Sequence, residues 1–256
     1  MNVYTYDYLE KNGRLGNQLW QISSCLAKGI AREGDLGKWR VSIRPDWEYR
    51  KFFSVPDQHF IPLEKHERQL DGGTGYFQEL EYVMPVEHTV REIFAPSELS
   101  KQFLWQHYSW ATAADHRTAV HVRRGDYLNH PKHFPLPPVS YYLNNVAEIR
   151  EKNPETQVLV FSDDLNWCRE NFPADWWFVE GVERPVELED RYKTEPQDQW
   201  DLFLQTMCHE HVISNSTFSW WGAFLSENRR PYYPSVWFGP ATGWQKCPAP
   251  EGWRAC

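Results

Sequence analysis

Residues 157–162 read Gln-Val-Leu-Val-Phe-Ser, with four apolar side chains in a row. A strand with one face in water alternates polar and apolar residues, so an unbroken run calls for cover on both faces. Helices supply that cover in a parallel sheet, and helical spacing flanks this run. One helix is predicted over 141–152, after Pro137 and Pro138, and another over 166–171. The alternation continues outward. Strands are predicted over 119–123, 176–179 and 211–214, and helices over 199–208 and, after a turn at 215–219, through Trp220, Trp221, Ala223, Phe224 and Leu225. From 118 to 228 the chain therefore reads as an α/β, doubly wound parallel sheet, whose ligand belongs beyond the carboxyl ends of the strands.

The first part of the chain is α/β in outline too. Residues 3–8 alternate as a strand, and Gly13-Arg14-Leu15-Gly16 reads as a turn. Asn17 is suited to cap a helix running to Glu33, with Leu19, Ile22, Leu26 and Ile30 at helical spacing and Gly34 as its stop. A second strand is predicted over 39–43. Between 45 and 94 no regular period emerges, and Asp71-Gly72-Gly73 signals a loop. A helix over 97–110 then leads to a hinge-like stretch at 111–116, which divides the chain into 1–115 and 116–256.

Charge narrows the partners. The 256 residues carry a net charge of −8, which disfavours nucleic acid or an anionic membrane surface as the main partner. The 14 tryptophans suit a large core, and equally a cleft whose rings stack on sugar faces. Five cysteines (Cys25, Cys168, Cys208, Cys247 and Cys256) show no paired metal spacing. Cys25 and Cys208 read as buried thiols, while Cys247 and Cys256 bracket a proline-rich tail and could bridge. The N-terminus lacks the basic region and apolar core of a signal peptide, and no apolar run approaches a membrane span. The expectation is a cytoplasmic protein with at most peripheral membrane contact.

Local positive charge in so acidic a chain needs a reason. His121-Val122-Arg123-Arg124-Gly125-Asp126-Tyr127 sets two arginines where an apolar strand meets a glycine turn. Alternation along the strand puts His121 and Arg123 on one face. Guanidinium groups at a strand's end suit bidentate capture of phosphate or carboxylate; neutralisation by Asp126 and a neighbouring glutamate is the alternative. A second anion-competent element follows the last predicted strand: Asn215-Ser216-Thr217-Phe218 enters a helix whose apolar face is built from Trp220, Trp221 and Phe224. Free N–H groups at a helix start attract anions, although Ser and Thr there also serve as plain caps. Ser162-Asp163-Asp164 ends a third strand. Three loops at carboxyl strand ends, two of them anion-competent, point to a phosphate ester and best to a diphosphate.

These segments resemble a known family, the inverting alpha-1,2-fucosyltransferases of glycosyltransferase family eleven. The resemblance rests on Gly13-Arg14-Leu15-Gly16-Asn17-Gln18, on the segment 121–127, and on 214–223, reading SNSTFSWWGA, in that order and at similar spacing. The alpha-1,6- and protein O-fucosyltransferases are similar in the last two. The resemblance implies a GT-B-like fold with two Rossmann-like halves, an acceptor-side domain at 1–115 and a donor-binding domain at 116–256. It also implies transfer of L-fucose from GDP-L-fucose, with inversion, to an oligosaccharide or glycolipid hydroxyl, expected to be the 2-hydroxyl of galactose.

Residue by residue, the resemblance assigns Arg123 to the donor diphosphate, with Arg124 holding the loop or assisting. His121 lies against the nucleotide. Asp163, or alternatively Asp164, accepts from the guanine. Asn215, Ser216, Thr217 and Phe218 form the segment at the phosphates, and Arg14 and Asn17 belong to a loop facing the fucose and the acceptor. The pair Asp163-Asp164 lacks the Asp-x-Asp spacing of metal-dependent glycosyltransferases, so neither metal nor cofactor is expected. Asp126 is the nearest candidate for the general base; pairing with Arg124, or proton uptake by the leaving phosphate, stands beside that role. Two other functions remain open on the sequence: a non-catalytic GDP-sugar or glycan binder, and a transferase of another GDP-sugar or linkage.

Overall fold

Val158, Leu159, Val160 and Phe161 are each no more than 1% exposed, so the run that predicted a doubly covered strand is buried on both faces. The structure, a computed structural model, describes residues 2–6, 13–34, 39–43, 47–59, 68–69, 75–181, 198–227, 230–243 and 246–256. The chain separates into two compact units: Met1–Gln102 with Pro248–Pro250, and Phe103–Cys247 with Glu251–Cys256.

In the first unit, β1 (Asn2–Thr5), β2 (Trp39–Ser42) and β3 (Arg68–Gln69) form a parallel sheet in the order β2-β1-β3. Helix α1 (Leu15–Glu33) links β1 to β2 and buries Leu15, Leu19, Trp20, Ile22 and Leu26. It stops where the Gly34 N–H closes on the Ile30 carbonyl at 2.9 Å, as the sequence predicted. Its start differs. The helix begins at Leu15 with Arg14 at the cap position and no side-chain cap, so Asn17 lies within the first turn and is not the cap. The stretch without a period contains short 3-10 turns at Asp57–His59, Leu80–Tyr82 and Met84–Val86, then α2 (Glu87–Ile93). Rings order it. Trp47 stacks on Phe53 at 5.7 Å, and Phe53 meets Phe94 edge-on at 5.9 Å. The division between the units falls within α3 (Glu98–Thr112). The loop signal at 71–73 lies outside the described residues.

The second unit is built on β4 (Arg117–Val122), β5 (Gln157–Ser162), β6 (Trp177–Phe178), β7 (Glu210–Val212), β8 (Tyr232–Tyr233) and β9 (Arg254–Ala255). All neighbours are parallel, in the order β6-β5-β4-β7-β8-β9. The chain thus winds outward from β4 to β6, returns to place β7 on the other side of β4, and winds outward again. That is the Rossmann order, with its topological switch between β4 and β7. Helices α4 (Val139–Lys152) and α5 (Leu165–Asn171) join the strands of the first arm, and α6 (Asp198–Thr206) and α7 (Thr217–Leu225) flank β7 in sequence. Val120 and Val122, Val158 and Val160, and Val212 pack with Tyr142, Val146, Ile149 and Phe172 into one core cluster. Buried His211 closes on the Gln205 carbonyl at 2.8 Å. The bridge considered between Cys247 and Cys256 is not formed; both thiols are free. Among the described residues, no helix is long and apolar enough to cross a membrane.

Candidate functional site

The strand register puts three loop entrances side by side. Val122 pairs with Ser162 across β4 and β5, and Val120 with Val212 across β4 and β7. The residues that follow these ends are Arg123 and Arg124, Asp163 and Asp164, and the segment 213–218. β4 ends at Val122, so strand alternation no longer governs Arg123, which sits in the loop. One of its terminal nitrogens donates to Asp163 and the other to Asp126. Its guanidinium carbon lies 5.3 Å from the Tyr127 ring centroid. Both oxygens of Asp163 are engaged, because the other one accepts the Arg124 N–H at 2.9 Å. Gly125 makes this approach possible, since a Cβ there would fall 2.3 Å from Asp163 Oδ2.

Arg124 points elsewhere. Its Nε donates to Asp164 at 3.0 Å, and its guanidinium carbon lies 3.8 Å from the Trp167 ring centroid. Asp164 also caps α5, accepting the Trp167 N–H at 3.2 Å. Two guanidiniums therefore face three carboxylates, and Arg123 alone bridges two of them.

On the other side of the switch, Ser216 caps α7 by accepting the Phe218 N–H at 3.3 Å. The two sides are tied together. His121 Nδ1 and Ser214 Oγ share a buried hydrogen bond of 2.8 Å, and the Tyr127 hydroxyl donates to the Asn215 carbonyl at 3.1 Å. Asn215 is anchored from beneath, its amide donating to the carbonyls of Pro135 and Trp237 at 3.0 Å each. Loss of water, with Arg123 adding to it, lowers the His121 pKa to about 3. The imidazole is therefore neutral at working pH, a rigid uncharged wall 5.4 Å from the Phe218 ring.

A topological switch point with a forked cation on one side and a capped helix start on the other suits a nucleoside diphosphate. The family model of glycosyl transferase family 11 matches residues 43–232. The chain belongs to that family. An alpha-1,2-colitosyltransferase of Escherichia coli is 26% identical over 292 residues, 94% of this chain and 95% of that one. A galactoside 2-alpha-L-fucosyltransferase of Caenorhabditis elegans is 25% identical over 73% of this chain and 49% of its own length. Among solved structures, NodZ alpha-1,6-fucosyltransferase soaked with GDP-fucose superposes with a TM-score of 0.54 at 12% identity, over 88% of this chain and 92% of that one. At that identity the likeness is one of fold. This family 11 member is an α/β protein of GT-B-like architecture.

Of the residues singled out from the sequence, His121, Arg123, Arg124, Asp126, Asp163, Asp164, Asn215, Ser216, Thr217 and Phe218 all gather at the β4/β7 switch of the second unit. Arg14 and Asn17 belong to the first unit, where Arg14 is exposed and Asn17 Oδ1 accepts from Gln78 Nε2 at 2.9 Å. Neutralisation of the arginine pair draws on Asp163 and Asp164 as well as Asp126, and Asp126 reaches Arg123 rather than Arg124. Ser214, Tyr127 and Trp167 hold the site together and had no assigned role; Ser214 and Tyr127 lie inside the recognised segments, while Trp167 gave no signal beyond its helix. Gln78 lay in the stretch without a period. Among the described residues, no three His, Cys, Asp or Glu side chains converge as a metal-ligand group.

Proposed function

We propose that this chain transfers L-fucose from GDP-L-fucose to a hydroxyl of an oligosaccharide or glycolipid, the 2-hydroxyl of a galactose residue, with inversion and without a metal ion. The observation that carries the reading is the pairing, across one switch point, of the Arg123 fork with the capped start of α7, in a chain of family 11. Donor binding falls to residues 116–256 and acceptor binding to 1–115.

The geometry supplies the chemistry. Breaking the fucose–phosphate bond leaves negative charge on GDP while the sugar becomes oxocarbenium-like. A guanidinium already oriented toward an anion, and N–H groups at a helix start, stabilise that charge without reorganising. The incoming phosphate replaces a carboxylate on Arg123. Asp126 is the partner that yields, because its side chain is 56% exposed against 24% for Asp163. Released from Arg123, Asp126 becomes the carboxylate on this loop that accepts the proton of the acceptor hydroxyl. Arg124 and Asp164 serve as a brace, and Asp163, with one donor on each oxygen, keeps lone pairs for the guanine. The site works in the cytoplasm on acceptors presented there.

A second donor deserves a parallel measurement, because the alpha-1,2-colitosyltransferase aligns over 94% of this chain. Transfer reactions with GDP-fucose, GDP-colitose and GDP-mannose in EDTA, against galactose-terminated oligosaccharides, test the proposal. The expected product is a fucosyl galactoside whose NMR spectrum shows an alpha anomer on O2. Transfer from GDP-mannose or GDP-colitose in preference to GDP-fucose refutes the donor assignment. Donor binding without either transfer or hydrolysis would leave a binding module.

A further inference from the structure

Gln78 sits in the first unit beside α1, just ahead of the turn at Leu80–Tyr82. Its side chain is buried, 8% exposed, and its Nε2 donates to Asn17 Oδ1 at 2.9 Å. Its own Oε1 is buried without a hydrogen-bond partner. A lone buried acceptor is destabilising, so packing alone favours an apolar residue of this size here.

The backbone around it is strained as well. Phe77 has φ 54°, alone among the described non-glycine residues in taking a positive φ. That conformation is strained for a side chain of this size and persists only where neighbours hold it. The Phe77 ring is held edge-on by Tyr6 at 5.7 Å and by Tyr82 at 5.5 Å, with the Lys28 ammonium 5.2 Å from its centroid. The strained turn delivers Gln78 to Asn17. From the other side, Gly13 makes room for the same amide. It has φ 98°, and a Cβ on it would lie 2.2 Å from Asn17 Nδ2. Asn17 is thereby gripped with its oxygen toward Gln78 and its nitrogen toward Gly13.

We propose that Gln78 is a positioning residue for glycosyl transfer: it fixes the orientation of the Asn17 amide within the first unit, to which acceptor binding is assigned above. The inference rests on the function proposed above and on Asn17 acting in it. An orphaned buried acceptor and a strained turn are two costs borne for one orientation, which is the pattern of a functional constraint.

The test compares Gln78→Met, Gln78→Glu, Asn17→Ala and the double variant Gln78→Met/Asn17→Ala, by transfer kinetics with GDP-fucose and by thermal melting. Gln78→Met is expected to melt at or above the wild-type temperature while kcat falls about tenfold or more. Gln78→Glu keeps the shape and loses the donor, and its kcat should fall similarly. KM for GDP-fucose should stay within about twofold, because binding of the donor is placed in the other unit. The double variant should be no slower than Asn17→Ala, as expected of two residues acting as one. Wild-type kcat in either folded Gln78 variant, or losses that multiply in the double variant, would overturn the inference. A wild-type chain inactive with every GDP-sugar strikes the proposed function itself, and the inference falls with it.

Discussion

Arg123→Lys separates charge from geometry at the proposed diphosphate site. The native guanidinium uses two nitrogens to reach two carboxylates on different loops, Asp163 and Asp126. An ammonium keeps the charge but lacks the fork, so it cannot hold one carboxylate while presenting a second aligned N–H to a phosphate. Loss of one preorganised donor to a charge developing in the transition state costs about 3–4 kcal/mol. At about 1.4 kcal/mol per decade, that is a fall of about two to three decades in kcat/KM. The effect on stability is small by comparison. Asp126 is 56% exposed, so its pairing is screened, while Lys can still pair with Asp163. The loss should stay below about 1 kcal/mol, or about 2–4 °C in Tm. The assay is transfer from GDP-fucose at saturating acceptor, with thermal melting and circular dichroism of the same preparations. A folded Arg123→Lys variant within about tenfold of wild-type kcat/KM would refute the assignment of Arg123 to the leaving group.

Further expectations follow from single contacts. Ser216→Ala removes the acceptor for the Phe218 N–H; unfolding in urea should show a loss of about 1 kcal/mol, and GDP should bind more weakly. Gly13→Ala forces a Cβ into a left-handed position against the Asn17 amide; kcat should fall while GDP affinity, measured by calorimetry, is retained. His121 and His211 are buried, and loss of water lowers their pKa values to about 3 and about 4. Unfolded imidazoles titrate near 6.5, so below that pH the unfolded chain binds protons that the native chain excludes. Stability is therefore fully present above about pH 7 and is lost as pH falls from about 6.5 toward 4, by up to about 1.4 kcal/mol per pH unit for each histidine. A urea midpoint that stays level from pH 7.5 to pH 5 would contradict this.

The sheet of the second unit could be read from sequence because its central strands are apolar through their length and its helices keep a clean period. β8 and β9, of two residues each, are too short to leave a pattern. The stretch 45–94 was opaque for a different reason: rings such as Trp47, Phe53 and Phe94, rather than a repeating backbone, order its described residues. At the site, the arginines and the Ser216 cap were legible because strand ends and helix starts have local signatures. Of their carboxylate partners, only Asp126 was. Asp163 and Asp164 are some forty positions from the arginines they hold, and only the β4/β5 register brings them together. Asn17 was read both as a cap and as part of a sugar-facing loop, and the cap reading fails because the helix begins at Leu15 with Arg14 at its cap position. Its partner Gln78 lies beyond the reach of local pattern.

The central claim is a GDP-selective diphosphate site at the β4/β7 switch that needs no metal. Its most direct test is isothermal titration of GDP, in EDTA, into the wild-type chain and into Arg123→Ala, with UDP as the control. The account predicts metal-free binding of GDP that UDP does not match, abolished in a folded Arg123→Ala variant. Binding that requires a divalent ion, equal binding of UDP, or undiminished affinity in the variant would contradict it.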